Sequence, residues 1–457
     1  MPLDGLSLRY LAHELQHELV EGRIDKITHP KPNDVYFHIR SRGQTRRLVI
    51  SIDAASARAH LTKNDPANPF KASGFLMFMR KHFSGGRIQN IYTVNDERVL
   101  IIEVSKRNEM GDFETKKIYA ELMGRYSNLV VVNQKGIILE ALKHIDEHMN
   151  RVRQILPGQA YVPPPAQDKQ LIEDFVELSV KQEGALRHQD FSQKHRAVHR
   201  IVMDKILGVS PLLAKELCFR ADLNPAEQAS RLTAADWSKL DEVIVEFGTA
   251  VANGQGQPGL LSEDPEGNKL LDFHAYPIYS APFFIKQGSL SEAMDHYYHD
   301  KLTKAGLEEK RQSLMRKIQN EYSGIKKLIA IHKEDIESTK DRDKDKEKGE
   351  FILANLHLAE PRAKELTGVD YYDPEMKEKT VELDPRFSAA DNAKRYFKRY
   401  ERAGSRKEEA EKRLVQEEKD QLWLESLMTQ LEDAETKSEV TELKEEFLES
   451  FRGKKKH

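Results

Sequence analysis

Cysteine is almost absent from this chain of 457 residues, in which Cys218 is the single example. One thiol excludes an intramolecular disulfide and any zinc site built from several cysteines. Long apolar runs are also missing, because no stretch approaches the roughly 18 apolar residues that a membrane-spanning helix needs. The N-terminus lacks the basic and then apolar pattern of a secretory signal. We therefore expect a cytoplasmic protein without a membrane segment, in which Cys218 is a buried core residue.

Net charge is small as well, −3 for the whole chain, but it is unevenly distributed. Residues 1–165 contain 24 Lys and Arg against 18 Asp and Glu, a net charge of +6, so the remainder carries −9. The basic residues of this first part cluster at Arg40, Arg42, Arg46 and Arg47, at Arg80, Lys81 and Arg87, at Lys106 and Arg107, and at Arg151 and Arg153. This asymmetry fits a polyanionic partner, and a solvated charged face explains it equally well.

Motifs of common catalytic sites are missing too. The chain has no phosphate-binding Gly-x-x-x-x-Gly-Lys-Ser/Thr loop, no Gly-x-Ser-x-Gly elbow and no His-Glu-x-x-His helix. His13 with His17, and His144 with His148, have the i,i+4 spacing of chelating pairs, but neither pair has a third ligand nearby. The sequence therefore predicts no metal, no cofactor and no enzymatic activity.

One catalytic alternative comes from the N-terminus. Loss of Met1 would leave Pro2 as a secondary amine, which resembles the nucleophile of formamidopyrimidine-type DNA glycosylases. Leu3 stands where those enzymes have an acidic partner, and one cysteine cannot form their zinc finger. We regard a glycosylase as the weaker hypothesis.

One structural unit is written twice in the first hundred residues: an amphipathic helical stretch, the motif Gly-Arg-Ile-x-x-Ile, a turn and an alternating strand. We predict the helices near residues 8–20 and 70–82. The two motifs are Gly22-Arg23-Ile24-Asp25-Lys26-Ile27 and Gly86-Arg87-Ile88-Gln89-Asn90-Ile91. Asp34 and Arg98 directly precede the two alternating strands and so occupy equivalent places at hairpin tips. Such a scaffold can keep its core while its tips differ, which makes the tips candidate functional positions.

Further apolar or alternating runs at 47–52, 117–123, 129–132 and 137–139 predict additional strands. We therefore predict an α+β protein with an N-terminal mixed-sheet domain over residues 1–160. Consecutive prolines at 163–165 end this domain, because each removes an amide donor and favours extended backbone.

Short helical patterns follow over residues 169–276 and predict a small helical domain. Its segment Ile206-Leu207-Gly208-Val209-Ser210-Pro211 is similar to a helix-hairpin-helix turn, which directs the amides of a helix at a phosphate. A plain αα-hairpin, with Ser210 as the helix cap and Pro211 in the first turn, explains the same residues.

A long coiled-coil arm is predicted near the end of the chain. Apolar residues step by three and four along 289–345 at Met315, Ile318, Tyr322, Ile325, Ile329, His332 and Ile336. The spacing resumes over 393–446 at Tyr396, Tyr400, Ala403, Lys407, Ala410, Leu414, Glu417, Gln421, Leu424, Met428 and Leu431. We predict an antiparallel hairpin within one chain, with residues 346–392 as a tip insert and 447–457 as a basic tail. Dimerisation through the same residues is the alternative.

Several strings along the whole chain support a family assignment. They are Asp4-Gly5, Gly22-Arg23-Ile24-Asp25-Lys26-Ile27-Thr28-His29-Pro30, Met79-Arg80-Lys81-His82, Lys106-Arg107-Asn108-Glu109-Met110-Gly111-Asp112, Glu121-Leu122-Met123-Gly124-Arg125-Tyr126-Ser127-Asn128, Leu156-Pro157-Gly158-Gln159, Ser289-Leu290-Ser291-Glu292-Ala293 and Ala393-Lys394-Arg395-Tyr396-Phe397-Lys398-Arg399-Tyr400. Together they resemble the NFACT family, which comprises the bacterial RqcH or fibronectin-binding A-like proteins and eukaryotic relatives such as NEMF.

The resemblance implies ribosome-associated quality control. Such proteins bind a large ribosomal subunit obstructed by peptidyl-tRNA and recruit charged tRNA, alanyl-tRNA in bacteria, to extend the stalled chain without a template. The ribosome itself performs the transfer. The implied tRNA-binding residues are Glu97, Arg98, Glu121, Leu122, Met123, Arg125 and Asn128, and the implied ribosome-binding residues are Gly208, Ser210 and Lys215.

This chain differs from the family pattern at two places. The family has Asp-Arg where this chain has Glu97-Arg98, and Met123 and Asn128 also fit structural roles in a core and a turn. Family members commonly continue into a C-terminal RNA-binding domain, so the sequence predicts that this domain is missing here, by truncation or by nature. A fibronectin-binding surface adhesin, suggested by the older family name, is the rival hypothesis.

Overall fold

The computed structural model describes residues 3–66, 72–108, 110–150, 153–181, 186, 189, 195–434 and 436–452. The chain divides into two compact units, Met1–Leu302 and Thr303–His457. Among the helices of the described residues, none combines the length and apolar character that crossing a bilayer requires. The predicted α+β class is confirmed.

A nine-stranded antiparallel sheet forms the centre of the first unit. Its strands are β1 (Arg23–Lys31), β2 (Asp34–Ser41), β3 (Gln44–Ser51), β4 (Arg58–Leu61), β5 (Arg87–Thr93), β6 (Val99–Arg107), β7 (Phe113–Glu121), β8 (Asn128–Val132) and β9 (Ile138–Ala141). They lie in the order β4-β3-β2-β1-β5-β6-β7-β8-β9. The prediction of a mixed sheet is wrong, because short hairpins join most neighbouring strands and keep them antiparallel.

Two helices belong to the duplicated unit: α1 (Gly5–Leu19) precedes β1 and β2, and α2 (Gly74–Phe83) precedes β5 and β6. Both pack their apolar residues into the core against the sheet. The second helix begins later than the sequence pattern indicates, because the Ser73 hydroxyl accepts from the Leu76 amide and caps the helix there. The start predicted at position 70 lies outside the described residues.

Between residues 172 and 286, the described part of the first unit contains four α-helices and a second sheet. The helices are α3 (Ile172–Val180), α4 (Val198–Lys205), α5 (Pro211–Arg220) and α6 (Ala234–Ala252), and the strands, in the order β11-β10-β12, are β10 (Gly259–Ser262), β11 (Leu270–His274) and β12 (Phe283–Lys286). The segment 169–276, predicted as a small helical domain, therefore also contains the strands β10 and β11. Short apolar runs such as Leu260-Leu261 fit a helix and a strand equally well. Here the turn at Asp264, whose carboxylate accepts from the Lys269 amide, joins β10 to β11 as a hairpin.

The second unit is built on long helices. Its elements are α7 (Leu290–Ser338), which starts in the first unit, α8 (Arg342–Ala354), β13 (Glu365–Val369), β14 (Glu378–Glu382), α9 (Ala389–Asp433) and α10 (Lys437–Arg452). The Tyr322 hydroxyl donates to Glu425 at 2.8 Å, and His332 Nε2 lies 3.3 Å from Glu417 Oε1. Contacts therefore advance along α7 while they retreat along α9, so the two helices pair antiparallel within one chain.

Every residue of both predicted seams is buried or half-buried, which confirms the seam positions. The helix predicted to reach residue 345 nevertheless ends at Ser338 and restarts as α8. The predicted insert at 346–392 accordingly begins inside a helix. In that helix Gly349 leaves room for the Phe397 ring of α9, because a Cβ there would lie 2.9 Å from Phe397 Cζ. The tip has its own small core around Phe351, Leu366 and Val381.

The end of the chain differs from the prediction of a continuous arm and a basic tail. A further helix, α10, packs its Val440 and Phe447 into the core of the long helices. It starts because Thr436 and Glu439 form a capping box, in which each side chain accepts from the other residue's backbone amide. Residues 453–457 of the predicted tail lie outside the described residues.

Candidate nucleic-acid interface

The tip of the β5–β6 hairpin packs against the protein's own first helix. Asn95 and Asp96 have left-handed backbone, with φ of 52° and 50°, and Asp96 is buried. Arg9 Nη1 lies 3.1 Å from Asp96 Oδ1 and 2.7 Å from Glu173 Oε1. A Cβ on Gly5 would lie 1.9 Å from the Asp96 carbonyl oxygen, so only glycine permits this close approach. The tip is therefore held in place before any ligand arrives.

Arg98 follows this tip and is half-buried rather than fully exposed. Burial lowers the pKa of its guanidinium, while the negative charges of Asp4 and Glu97 oppose that effect. Glu97 is also half-buried. The expected Glu97-Arg98 pair thus lies at the edge of the unit, with part of each side chain reachable from solvent.

The predicted helix-hairpin-helix turn contacts α1. The Gly208 carbonyl accepts from the amides of Gly5 and Leu6, at 3.1 and 3.4 Å. The Ser210 hydroxyl accepts from the Leu213 amide at 3.2 Å and caps α5, whose first turn contains Pro211. These contacts match the plain αα-hairpin alternative.

Of the three residues predicted to contact the ribosome, Gly208 and Ser210 are used in these internal contacts, whereas Lys215 is exposed on α5. A direct contact at this place would therefore have to come from Lys215.

The structure joins the two regions that the sequence analysis singled out separately for tRNA binding. The Leu122 amide donates to the Arg98 carbonyl at 2.8 Å, so the turn after β7 lies beside the β5–β6 tip. A short 3₁₀ turn over Gly124–Tyr126 follows, held by a hydrogen bond of 2.8 Å from the Met123 amide to the Ser127 hydroxyl. We call residues 94–98 and 122–127 together the tip–turn surface.

Glu121 anchors this surface from inside. Its side chain has 0% exposure, and its carboxylate accepts from both terminal nitrogens of Arg153 and, at 2.8 Å, from the Tyr161 hydroxyl. Burial by itself lowers the pKa of Arg153, but the hydrogen bond and charge of Glu121 raise it. Burial and the same carboxylate raise the pKa of Tyr161, so the hydroxyl stays protonated.

Asn128 anchors the other end of the turn. It is fully buried, its Nδ2 donates to the Lys143 carbonyl at 2.8 Å, and its Oδ1 accepts from the amides of Leu129 and Lys143, each at 2.9 Å. Leu122 is buried in the core as well. Three of the seven predicted tRNA-binding residues are therefore inside the unit, and Arg125 is the one classed as fully exposed.

Tyr126 lies in the same turn but is not among the seven predicted contact residues. Its ring is 59% exposed, the Arg125 guanidinium lies 4.6 Å from the ring centroid, and Arg125 Nη2 donates to the Tyr126 hydroxyl at 2.5 Å. Exposed aromatic rings and arginine planes are the groups on which unpaired bases stack. The available signal was an aromatic residue next to an arginine in a glycine turn.

Possible metal ligands and the single thiol are the other groups that the sequence analysis considered. No group of three or more His, Cys, Asp and Glu side chains there is arranged to hold a metal ion. Cys218 is buried as predicted, and burial raises the pKa of its thiol to about 12, so the nucleophilic thiolate is suppressed.

Comparison with known proteins gives the class to which this fold and surface belong. The family described as NFACT N-terminal and middle domains matches residues 4–457. The chain therefore belongs to the NFACT family.

Among its relatives, the Rqc2 homolog RqcH of Bacillus subtilis (strain 168) is 31% identical over 404 residues, which cover 88% of this chain and 67% of that protein. The archaeal Rqc2 homolog aRqcH of Methanocaldococcus jannaschii is 25% identical over 354 residues, covering 76% of this chain and 49% of that protein. The chain thus spans about two thirds of the length of the bacterial relatives that it matches.

Solved structures give a similar result. The N-terminal part of the fibronectin/fibrinogen-binding protein from Streptococcus suis is 26% identical with a TM-score of 0.52, and the match covers 65% of this chain and 99% of that one. The fibrinogen binding protein from Staphylococcus aureus has the same TM-score, identity and coverage.

Proposed function

We propose that this protein is a non-enzymatic factor of ribosome-associated quality control, which binds obstructed large ribosomal subunits and recruits tRNA for extension of the stalled chain. Family membership, with relatives named Rqc2 homolog RqcH, is the observation that carries the proposal. The partners would be a large subunit holding peptidyl-tRNA and a charged tRNA, alanyl-tRNA in the bacterial case. The protein would act in the cytoplasm as a monomer.

The tip–turn surface is the proposed tRNA contact. Arg98, Met123 and Arg125 would touch the RNA directly, because each is exposed or half-buried there. Tyr126 would add stacking on an unpaired base. A guanidinium suits this role because its planar set of donors grips a phosphate or a base edge through two bonds.

The buried members of the predicted set would act as positioning residues. Glu121 and Asn128 fix the two ends of the turn through the contacts with Arg153 and Lys143, and Leu122 ties the turn to Arg98. Glu97 would tune the charge beside Arg98. Lys215 would contact ribosomal RNA, while Gly208 and Ser210 would shape the hairpin that presents it.

The long helices of the second unit would reach across the subunit and dock with their tip. Their pairing within one chain supports this use, since the seam is already occupied without a second copy. Two large aromatic side chains at the tip, Tyr371 and Tyr372, are 56% and 71% exposed and offer a contact area.

Co-sedimentation of the full chain with purified large subunits that carry peptidyl-tRNA tests the proposal. We expect the protein to pellet with these subunits at low salt and to dissociate as salt rises, because phosphate contacts release counterions. Failure to pellet under the same conditions would refute the proposal.

Binding to fibronectin is the second candidate function, favoured by the name of the solved relative from Streptococcus suis, a fibronectin/fibrinogen-binding protein. The same preparation should be tested on immobilised fibronectin. Tight binding there, together with no binding to large subunits, would reverse the order of the two hypotheses.

A further inference from the structure

The two Gly-Arg-Ile motifs of the duplicated unit pair with each other at the centre of the nine-stranded sheet. The Ile24 amide donates to the Gly86 carbonyl at 2.9 Å, and the Ile88 amide donates to the Gly22 carbonyl at 3.0 Å. The two copies thus exchange equivalent hydrogen bonds, as elements related by a local twofold would. This arrangement sets Arg23 directly opposite Arg87.

A third arginine extends the pair. Arg40 of β2 lies opposite Arg23 on the other side of β1. Since directly opposed residues of antiparallel strands point to the same face, Arg40, Arg23 and Arg87 form one line across three strands, which we call the arginine row. All three side chains are exposed, and with strands about 4.8 Å apart the row extends over roughly 10 Å.

Packing explains the glycine and the isoleucine of each motif but not the arginine. A Cβ on Gly22 would lie 2.7 Å from Ile39 Cγ2, and a Cβ on Gly86 would lie 2.8 Å from Val104 Cγ1. Ile24 and Ile88 are each 1% exposed. The arginine positions face away from this core, so folding requires only a polar residue there.

Like charges directly opposite each other destabilise a sheet, so a row of three arginines works against stability. Within the described residues, each guanidinium has one hydrogen-bond partner: Arg23 bonds Asp25 at 2.7 Å, Arg87 bonds the Glu21 carbonyl at 3.0 Å, and Arg40 bonds Thr45 at 3.4 Å. A guanidinium has five N–H donors, so most donors of the row face solvent.

The surroundings of the row are also basic. An open groove of about 530 Å³ beside it is lined by Arg40, Arg87 and the exposed Arg42, with His17 from the last turn of α1 and Glu21 from the turn that follows the helix. Arg42 Nη1 lies 3.4 Å from His17 Nε2. The groove therefore favours an anionic ligand that follows the line of the row.

We propose that the arginine row binds consecutive phosphates of an RNA backbone. The proposal rests on the proposed function, from which the RNA partner is taken. The row would be a second contact at some distance from the tip–turn surface. Arg87 pairs with Ser105 of β6, whereas the tip–turn surface adjoins Val99, at the start of the same strand. Six residues separate these two positions, a distance of about 20 Å along the strand. One RNA can span both contacts. Guanidinium forks at regular spacing match a chain of phosphates better than they match a single anion.

A triple substitution in the full chain, Arg23→Gln with Arg40→Gln and Arg87→Gln, tests this. The measurement is the affinity for deacylated tRNA as a function of KCl concentration. If the row contacts three phosphates, the slope of log K against log salt should become shallower by about 2 to 3, since each contact contributes about 0.7 to 0.9. Affinity at low salt should fall at least tenfold, and the melting temperature should stay equal or rise.

A matched control removes three other exposed positive charges of the same unit, by Arg231→Gln, Lys239→Gln and Lys286→Gln. The control should keep the parent's slope, and an Arg→Lys version of the row should keep the slope with a smaller loss of affinity. Equal slopes for the row variant and the parent would overturn the row, as would equal losses in row and control variants.

These outcomes can be told apart from failure of the proposed function. If the proposed function is wrong, the parent protein itself will bind neither tRNA nor large subunits at low salt. Polyglutamate and vesicles with anionic headgroups serve as competing probes. If the row substitutions abolish binding to either probe and leave tRNA binding intact, the RNA assignment is wrong.

Discussion

Asp4 and His274 form a buried ion pair that joins the start of α1 to β11: His274 Nε2 lies 3.1 Å from Asp4 Oδ2, and both side chains are inside the unit. Burial alone would raise the pKa of Asp4 and lower that of His274, but their mutual charge and hydrogen bond outweigh it. The pKa of Asp4 is therefore lowered and that of His274 raised. The same carboxylate caps α1 by accepting from the Ser7 amide at 2.8 Å.

Replacement of His274 by Ala should cost about 3 to 5 kcal/mol of unfolding free energy, because it leaves a buried charge without its partner. The contribution of Asp4 is present above its ordinary pKa of 3.8 and is lost as pH falls through its lowered value. That of His274 is present below 6.5 and is lost as pH rises through its raised value. Denaturant unfolding across pH should therefore show the largest difference from the parent between about pH 4 and 6.5. Replacement of the exposed His144 by Ala is the control. A difference in unfolding free energy between His274→Ala and the parent that does not change with pH would contradict the ion pair.

Asp96→Asn should stabilise the protein at pH 8. Burial raises the pKa of Asp96 to about 6, against the opposing charge of Arg9 and with further help from Glu173 and Asp4. The stability that Asp96 contributes is thus complete below 3.8 and lost as pH rises through about 6. We expect a gain of roughly 1 to 2 kcal/mol at pH 8 that vanishes below pH 4. Asparagine also tolerates the left-handed backbone. The neighbouring exposed Asn95→Asp is the matched control and should change little.

Arg98→Ala should weaken tRNA binding by about 1 to 3 kcal/mol, the scale of a lost bidentate contact. The backbone bond from Leu122 to Arg98 does not depend on the side chain, so the tip should keep its place. Arg98→Lys keeps the charge without the planar fork and should fall between parent and Ala. Binding titrations with thermal melts check this. Unchanged affinity in a folded Ala variant would make Arg98 a structural residue.

Tyr126→Ala should reduce tRNA affinity by about 1 to 3 kcal/mol if a base stacks on the ring. Tyr126→Phe keeps the ring and loses only the bond from Arg125, so it should bind nearly as well as the parent. Titration of both variants at fixed salt separates stacking from charge, because neither substitution changes the net charge. Equal losses for Phe and Ala would instead indicate that the hydroxyl holds Arg125 in place.

Tyr371→Ala with Tyr372→Ala should weaken binding to the large subunit while tRNA binding survives, because the two contacts lie in different units. This pair of substitutions is gentler than deletion of 346–392, which would remove much of α8 and the core around Phe351. Leu422→Ala, at an exposed position on α9, is the control. Light scattering should give a monomer throughout, and an obligate dimer would contradict the seam within one chain.

The helical seams and the strands of the duplicated unit could be predicted from the sequence because they reflect local chemistry. Residues at 3-4 spacing share one face of a helix, and the residues of both predicted seams are indeed buried or half-buried. Alternation located the strands of the duplicated unit within a few residues. The sequence analysis did not predict α10 as a separate helix, because the charged, helix-like pattern continues across the break between α9 and α10. The Thr436–Glu439 capping box that starts α10 is visible in the sequence.

The burial of the site residues was harder to predict, because in a turn the sequence does not show which side chains point into the core. Glu121 and Asn128 look like surface residues in the sequence, yet partners 32 and 15 residues away bury both of them. Asp96 is likewise a packing residue, because its carbonyl oxygen lies against Gly5 and its carboxylate pairs with Arg9. The predicted tRNA and ribosome assignments, like the division into five segments, remain predictions.

The sequence by itself determined the α+β class, the duplicated helix-hairpin unit, the helical seams and the resemblance to the NFACT family, because each rests on residue type and spacing along one segment. Only the tertiary structure decided the antiparallel direction of the large sheet, the meeting of the tip with the turn after β7, and the alignment of Arg40, Arg23 and Arg87. These features depend on pairing between segments distant in the chain, and strand register, close backbone approach and shared burial exist only once those segments have packed.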